Sequence, residues 1–362
     1  MKNRLKYLDG LRGIFALSIA LSHFLGGAMG WNHYPFINAY IAVDFFFILS
    51  GFVLSYVYIN AFNSSKIGNT QFSLHRLARM YPLHLATLII TFLIYYFLYN
   101  DFPFSDPTYS GVANLLALQG MGMTSDWSWN DPSWSISVEL WASVLVFQVL
   151  ARKFNNTSLF IFSFVCYSLV INKHDSLMAA FDFSYFYLSS GFLKCIGGMA
   201  LGILLFKLSS ETSVAEPNST RFSGLIDLAL FAIIMVFTCI NVSMPKIDSL
   251  MVVCFAFLIY RLQVRPSWMR NLIETAPLNF LGKISFSLYL IHTPIILLLG
   301  RSGSYNNLPI ALRMTIFLSI TFAVSYILHV VFERELYKLL KKSIDNNFPK
   351  RLKKTVPLTP AL

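Results

Sequence analysis

Ionisable side chains interrupt several long apolar runs in this sequence of 362 residues. The first run, LDGLRGIFALSIALSHFLGG, has Arg12 near its beginning and His23 near its end. On a helix this spacing is about three turns, so both side chains lie on nearly the same face, ~16 Å apart along the axis. A cation and an imidazole on one face predict an anion site and a proton acceptor. The alternative is structural: Arg12 extends to lipid headgroups and His23 hydrogen-bonds to a neighbouring helix.

Two carboxylates occupy apolar runs at a similar depth. Asp44 lies in AYIAVDFFFILSGF and Glu139 in DPSWSISVELW, ~9 Å and ~6 Å from the ends of their predicted helices. An ionised carboxylate in an apolar medium costs several kcal/mol unless it is paired. His23, Asp44 and Glu139 are therefore predicted to be mutual partners in a catalytic group, in which a carboxylate orients His23 as a general base. The alternative is a polar cluster that only fastens helices together.

Two arginines precede a third apolar run. In SLHRLARMYPLHL, Arg76 and Arg79 share a helix face, and Pro82 is predicted in the first turn of the following membrane helix. Paired guanidinium groups suit phosphate oxygens, so Arg12, Arg76 and Arg79 are predicted to bind an anionic ligand. The alternative is contact with lipid headgroups.

A further polar face occurs in LGKISFSLYLIHTPI. Ser285, Tyr289 and His292 follow one another at intervals of a helical turn. Ser135, Tyr289 and His292 are predicted to line a substrate cavity; hydrogen bonding between helices is the equal alternative. The cysteines all fall in apolar runs and are expected to act as small apolar side chains, so no metal site is predicted.

Composition identifies the elements that must position these residues. Hydrophobic residues make up 56% of the chain and charged residues 12%, with a mean hydropathy of +0.60. This pattern predicts an all-α polytopic membrane protein, because lipid leaves backbone groups unsatisfied outside helices and closed barrels. About ten spans are expected, at 11–29, 38–59, 82–99, 135–150, 158–172, 185–206, 225–241, 248–263, 284–300 and 311–333.

The distribution of basic residues predicts the topology. Most of the 28 Lys and Arg residues fall on one side of the predicted bundle, while loop 100–134 contains none. Both termini are therefore predicted to be cytoplasmic. The net charge of +11 indicates topology and needs no nucleic-acid partner. A transmembrane domain is predicted over 1–335, followed by a basic cytoplasmic tail over 336–362 that lies on anionic lipid.

Five motifs in order resemble the acyltransferase-3 family of integral membrane proteins. They are Arg12 followed after ten residues by His23, then DFFFILSGF, HRLARMYP, SWSISVE and SFSLYLIH. The resemblance covers residues 7 to about 335. Many members end the last span with Glu-x-Pro, whereas Glu333 here is followed by Arg334 and Glu335, which puts only the end of that helix in question.

The resemblance implies an acyltransferase that moves an acyl group, usually acetyl, from cytoplasmic acyl-CoA to a sugar hydroxyl, often in O-antigen or exopolysaccharide. Acyl-CoA is then a co-substrate, and no permanently bound cofactor is expected. The expected location is the bacterial inner membrane, in several passes, with membrane lipid and a sugar or polysaccharide acceptor as partners. The oligomeric state stays open.

The resemblance and the residues together suggest one mechanism. The nucleotide end of the donor would bind Arg76, Arg79 and Arg12, and its arm would follow the helix face toward His23. His23 would deprotonate the acceptor hydroxyl or take the acyl group itself, with Glu139 or Asp44 holding the imidazole. The competing prediction is a proton-coupled transporter of an anionic solute, since buried His, Asp and Glu also form proton relays. The sequence shows no internal repeat in support of a transporter.

Overall fold

Helices account for nearly all of the structure. It is a computed structural model that describes residues 5–32, 34–100, 102, 106–124, 129–178, 183–185, 188–212, 220–240 and 242–348. Residues 349–362 of the predicted basic tail, and parts of loop 100–134, lie outside these ranges.

The helices follow one another with short connections. They are α1 (Lys6–Met29), α2 (Ala42–Asn63), α3 (Asn69–Ile94), α4 (Pro107–Leu115), α5 (Ser133–Trp141), α6 (Gln148–Lys153), α7 (Asn156–His174), α8 (Ser190–Glu211), α9 (Thr220–Cys239), α10 (Asp248–Val264), α11 (Trp268–Ile273), α12 (Ala276–Gly300), α13 (Gly303–Asn306), α14 (Ile310–Leu328) and α15 (Tyr337–Asn347). Short 3₁₀ turns cover Ile37–Ile41 and Pro245–Ile247, and π-helical turns cover Tyr95–Tyr99, Ala142–Phe147 and His329–Leu336. An antiparallel hairpin joins β1 (Phe183–Tyr185) to β2 (Leu188–Ser189).

The prediction of an all-α polytopic membrane protein is confirmed. Within the described ranges, nine helical segments are long and apolar enough to cross a membrane. The predicted span 158–172 lies on α7, which is outside this set but runs antiparallel to α8 over nearly its whole length. Lys207 Nζ donates to the Phe154 carbonyl (2.6 Å) at one end of the pair, and His174 Nε2 lies 3.0 Å from Ser190 Oγ at the other. Helix α7 thus packs along one of the nine candidate spans of the described residues without being one of them.

Helix α3 corrects the predicted start of the third span. The sequence placed Pro82 in the first turn, but the helix begins at Asn69 and Pro82 lies inside it. Proline is tolerated inside membrane helices because neighbouring groups satisfy the backbone carbonyl that it leaves free. Arg76 and Arg79 therefore lie well inside a helix that enters the bundle, and not on a segment ahead of it.

Glycines allow the helices that carry the predicted site to approach closely. A Cβ on Gly282 of α12 would lie 2.1 Å from the Asp9 carbonyl oxygen of α1. A Cβ on Gly202 of α8 would lie 2.0 Å from the Ile48 carbonyl oxygen of α2. Small residues at such crossings let membrane helices pack backbone to backbone. The first crossing brings the face of α1 that carries Arg12 and His23 against α12.

Candidate active site

An elongated cavity lies between α1, α2, α3, α5 and α12. It encloses about 290 Å³. Its lining includes six of the predicted site residues, namely Arg12, Arg76, Arg79, Ser135, Glu139 and Tyr289. His23, His292 and Asp44 are not part of that lining.

Arg76 is held by a carboxylate and a hydroxyl. Its Nη2 lies 2.9 Å from Oε1 of Glu139, and its Nε donates to Ser143 Oγ at 3.1 Å. Ser50 also donates to Glu139 Oε1, at 2.7 Å. Glu139 lies in the last turn of α5, and Ser143 lies in the π-helical turn Ala142–Phe147 that follows. Residues four positions apart share a helix face, so both side chains reach the same guanidinium, and π-helical turns are frequent at functional sites.

Arg79 is held by Glu333, a residue whose role the sequence did not predict. Arg79 Nη2 lies 3.0 Å from Oε2 of Glu333, and Arg79 Nη1 donates to the Glu333 carbonyl at 3.2 Å. The backbone N–H of Ser287 donates to Glu333 Oε1 at 3.2 Å, and its hydroxyl donates to the same atom. Glu333 is buried in the π-helical turn His329–Leu336. The sequence signal that could have identified Glu333 is the presence of a carboxylate within a predicted apolar span.

Arg12 has the weakest partner of the three arginines. Its Nη1 lies 3.9 Å from Asp9 Oδ1, one turn earlier on α1. The Arg12 side chain is 29% exposed, similar to Arg79 at 31% and more than Arg76 at 12%. Because its carboxylate partner is the most distant of the three, Arg12 is the cavity arginine least engaged by a carboxylate.

Ser135 and Tyr289 line the cavity on α5 and α12. Their hydroxyls lie 2.8 Å apart, so α5 and α12 are joined there. The Tyr289 ring centroid lies 6.0 Å from that of His292 and 6.0 Å from that of Phe46. The ring of Tyr289 therefore contacts both the cavity and His292, so His292 is one ring away from the cavity.

His23 of α1 contacts His292 of α12. Nδ1 of His23 lies 2.9 Å from Nε2 of His292, and Nδ1 of His292 lies 3.3 Å from the Leu288 carbonyl oxygen. That carbonyl only accepts, so Nδ1 of His292 carries a hydrogen, and in a neutral ring Nε2 is then the acceptor. His23 must donate from Nδ1. This leaves Nε2 of His23 as a basic nitrogen on a half-buried ring.

The predicted pairing of His23 with Asp44 or Glu139 is wrong. Glu139 contacts Arg76, and Asp44 is fully buried with its Oδ2 3.6 Å from Lys194 Nζ of α8. Lys194 also lies 5.4 Å from the centre of the Trp134 ring. Asp44 faces α8 because α2 packs closely on that helix, whereas His23 faces α12. The sequence placed Lys194 inside a span without assigning it a partner.

Asp131 is a further carboxylate near the site, in the loop before α5. Burial raises its pKa to about 7. Its Oδ1 is buried without a hydrogen-bond partner among the described residues. Within the same ranges, no group of three or more His, Cys, Asp or Glu side chains is arranged to hold a metal ion.

Comparison with known proteins gives a family match over nearly the whole chain. The model of the acyltransferase-3 family, described as an acyltransferase domain, matches residues 5–330. Acyltransferase MdmB of Streptomyces mycarofaciens is 34% identical over 152 residues, which are 38% of this chain and 36% of MdmB. Protein 2 in the picA locus of Rhizobium radiobacter is 39% identical over 83 residues, which are 23% of this chain and 41% of that protein.

The chain thus spans about four tenths of the length of each of these relatives. No solved structure matches it. The family match extends from α1 into the π-helical turn that holds Glu333, and so includes all nine predicted site residues. The chain belongs to the acyltransferase-3 family.

Proposed function

We propose that the protein transfers an acyl group, normally acetyl, from acyl-CoA to a hydroxyl of a cell-envelope polysaccharide or a lipid-linked sugar. The observation that carries this proposal is the His23–His292 pair, one ring away from a cavity lined by three arginines. Membership of the acyltransferase-3 family and the name of MdmB support acyl transfer. Both observations favour an enzyme over a transporter of anionic solutes.

The cavity suits the arm of the donor. At about 290 Å³ it is at the lower end of ligand pockets, which run from ~300 to ~1,000 Å³, so it takes only part of an acyl-CoA molecule. The thioester would lie beside Tyr289 and the diphosphate beside the arginines. Arg12, with its weak partner, would form the first phosphate contact, while Glu139 and Glu333 hold Arg76 and Arg79 in fixed positions.

The chemistry is a direct acyl transfer with His23 as general base. Nε2 of His23 accepts the proton of the acceptor hydroxyl while the hydroxyl oxygen forms a bond to the thioester carbonyl carbon. The carbon–sulfur bond then breaks, and the leaving thiolate takes a proton from the His23 imidazolium. His292 accepts the hydrogen bond from His23 Nδ1 and so keeps the basic nitrogen directed at the acceptor.

Topology decides from which side each substrate arrives. The excess of basic residues near one set of the predicted helix ends supports cytoplasmic termini in a bacterial inner membrane. Arg76 and Arg79 are then nearer the cytoplasmic end of α3, and His23 is nearer the outer end of α1. The donor would enter from the cytoplasm and the acceptor from the outer side.

The test is a transfer assay on purified protein with radiolabelled acetyl-CoA and a panel of lipid-linked and polymeric sugars. The wild type should label at least one acceptor, and His23→Gln should lower the labelling rate by ~10²–10⁴, the range for acid–base catalysis. His174→Gln is the matched control, because its imidazole also joins two helices but lies at the α7–α8 contact. A well-folded His23→Gln variant with wild-type rates would overturn the proposal.

A further inference from the structure

The cavity wall on α2 continues beyond the cavity. Ser50 and Val53 line the first cavity, and Val57 and Ala61 line a second one at the next turns of the same face. Spacings of three and four residues keep these positions in one stripe along the helix. The two cavities therefore share one wall.

Helix α3 forms the opposite wall in the same way. Arg76 and Arg79 line the first cavity, whereas Gln71 and His75 line the second. From Arg79 to Gln71 the distance along the axis is ~12 Å. The second cavity encloses about 330 Å³ and lies next to a wider depression of about 860 Å³ that shares Lys66, Gln71 and Phe348 with it.

Cations predominate among the residues that line these two spaces. Lys66 and Lys341 line the second cavity, and Arg152 and Lys66 line the depression. The one carboxylate in the described lining, that of Asp345, is engaged by His75 Nε2 and Gln71 Nε2, each at 2.8 Å. Lys66, Lys341 and Arg152 therefore outnumber the single carboxylate in the described lining of the two spaces.

Aromatic rings stand beside these cations. Tyr58 and Phe348 line the second cavity, and Phe62 and Phe348 line the depression. The Arg152 guanidinium lies 4.2 Å from the centre of the Phe62 ring. The Phe348 side chain is 37% exposed and lines both spaces, so apolar ring surface is accessible there. Aromatic rings beside cations are typical of nucleotide binding.

The first cavity cannot neutralise a polyanion by itself. Each of its arginines already has a carboxylate within 3.9 Å. A donor with several phosphates needs further positive charge, and Lys66 and Lys341 line the second cavity, which follows the first along α2 and α3.

We propose that the second cavity and its depression form a nucleotide vestibule, defined by Tyr58, Lys66, Gln71, Lys341 and Phe348, for the adenosine 3′-phosphate end of acyl-CoA. Lys66 and Lys341 hold the 3′-phosphate, and Phe348 faces the adenine. This inference rests on the proposed function, because it deepens the donor site of the same reaction. It also gives a reason for the π-helical turn His329–Leu336 and α15, whose residues at four-residue intervals, Glu333 in the turn and Tyr337, Lys341 and Asp345 in α15, lie against α3.

The test compares the binding of CoA, 3′-dephospho-CoA and adenosine 3′,5′-bisphosphate to purified protein in zwitterionic detergent. The wild type should prefer CoA to its 3′-dephospho form by about tenfold or more, as expected for lost hydrogen bonds to a charged group. The double variant Lys66→Ala, Lys341→Ala should lose this preference and bind the bisphosphate more weakly. Lys342→Ala is the matched control, since it removes the same charge from α15 outside the vestibule lining.

The outcomes separate the two proposals. If the wild type transfers acetyl groups but the double variant keeps the full preference for CoA, the vestibule is overturned and the proposed function stands. If the wild type neither binds CoA nor transfers, both fall. Should the double variant fail to fold, Lys66→Gln and Lys341→Gln alone should each lose part of the preference, and full retention in both would overturn the vestibule. A double variant that loses only bound anionic lipid would overturn it as well.

Discussion

The bundle has two polar regions, the arginine-lined cavity and the His23–His292 pair, and their polar groups have different kinds of partner. In the cavity, each guanidinium has a carboxylate partner: Asp9, Glu139 or Glu333. In the second region, His23 and His292 contact each other, and His292 contacts a backbone carbonyl. Fixed ion pairs suit the positioning of an anionic ligand, whereas a pair of imidazoles suits the transfer of a proton. The comparison therefore assigns binding to one region and chemistry to the other.

Apart from His23 itself, the largest effect is expected at His292. Replacing it by Ala removes the acceptor for His23 Nδ1–H, so kcat should fall by ~10²–10⁴, the range for acid–base catalysis, while KM for the donor changes little. His292→Gln offers an amide oxygen in the same region and should recover part of the rate. Steady-state kinetics on both variants measure this. An unchanged kcat in His292→Ala would remove His292 from the mechanism.

Asp44 and Lys194 should affect stability and not chemistry. Removing one partner of a buried ion pair costs ~3–5 kcal/mol, because the other charge stays buried without compensation. Lys194→Met should therefore lower the thermal midpoint strongly, and adding Asp44→Leu should recover much of the loss. The turnover of the folded fraction should stay at the wild-type level in the double variant. Abolished turnover there would return Asp44 to the catalytic group.

Substitutions of Arg76 and Glu139 should have different effects on donor binding and on stability. Arg76→Ala should weaken donor binding by ~1.5–3 kcal/mol, the range for hydrogen bonds to charged groups. Glu139→Gln should lower stability but leave donor binding no weaker, because it removes negative charge from the cavity. Calorimetric titration with CoA and thermal unfolding measure both effects, with Glu274→Gln at the partly exposed Arg270 pair as control. A fall of ~10²–10⁴ in kcat for Glu139→Gln would instead restore its predicted role beside His23.

A smaller effect is expected at Asp131. Its pKa is raised from 3.8 to about 7 by burial, so the folded protein binds more protons than the unfolded chain between these values. Its contribution to stability is then lost as the pH rises through this window. Asp131→Asn should raise the thermal midpoint at pH 8 relative to pH 5, compared with the wild type, by ~2–4 °C. Equal shifts at both pH values would contradict this.

The fold could be predicted from the sequence, while the pairing within the site could not. Runs of apolar residues predicted nine of the membrane helices, because lipid imposes one length and one type of backbone structure. The start of α3 was misplaced from Asn69 to Pro82, since proline is a helix-start signal in water and is tolerated inside membrane helices. This error put Arg76 outside the bundle, where Glu139 could not reach it.

Which side chains pair across helices depends on how each helix is rotated about its axis and on local irregularities of the helix. The hydropathy pattern of the sequence reports neither. Glu333 lies in a π-helical turn and Ser143 in another, and such turns break the regular helical spacing on which a prediction from periodicity depends. Periodicity could place Tyr289 and His292 on one face because both are on the regular helix α12. It could not show that α12 packs on α1 and so supplies His292 as the partner of His23.

The central claim is that His23 and His292 act as one unit in proton transfer. A double-mutant cycle on the rate of acyl transfer tests it, with His23→Gln, His292→Ala and the double variant measured at saturating donor. Residues that act as a unit are non-additive, so the double variant should be about as slow as His23→Gln alone. Losses that multiply in the double variant would show that the two imidazoles act independently and would contradict the account.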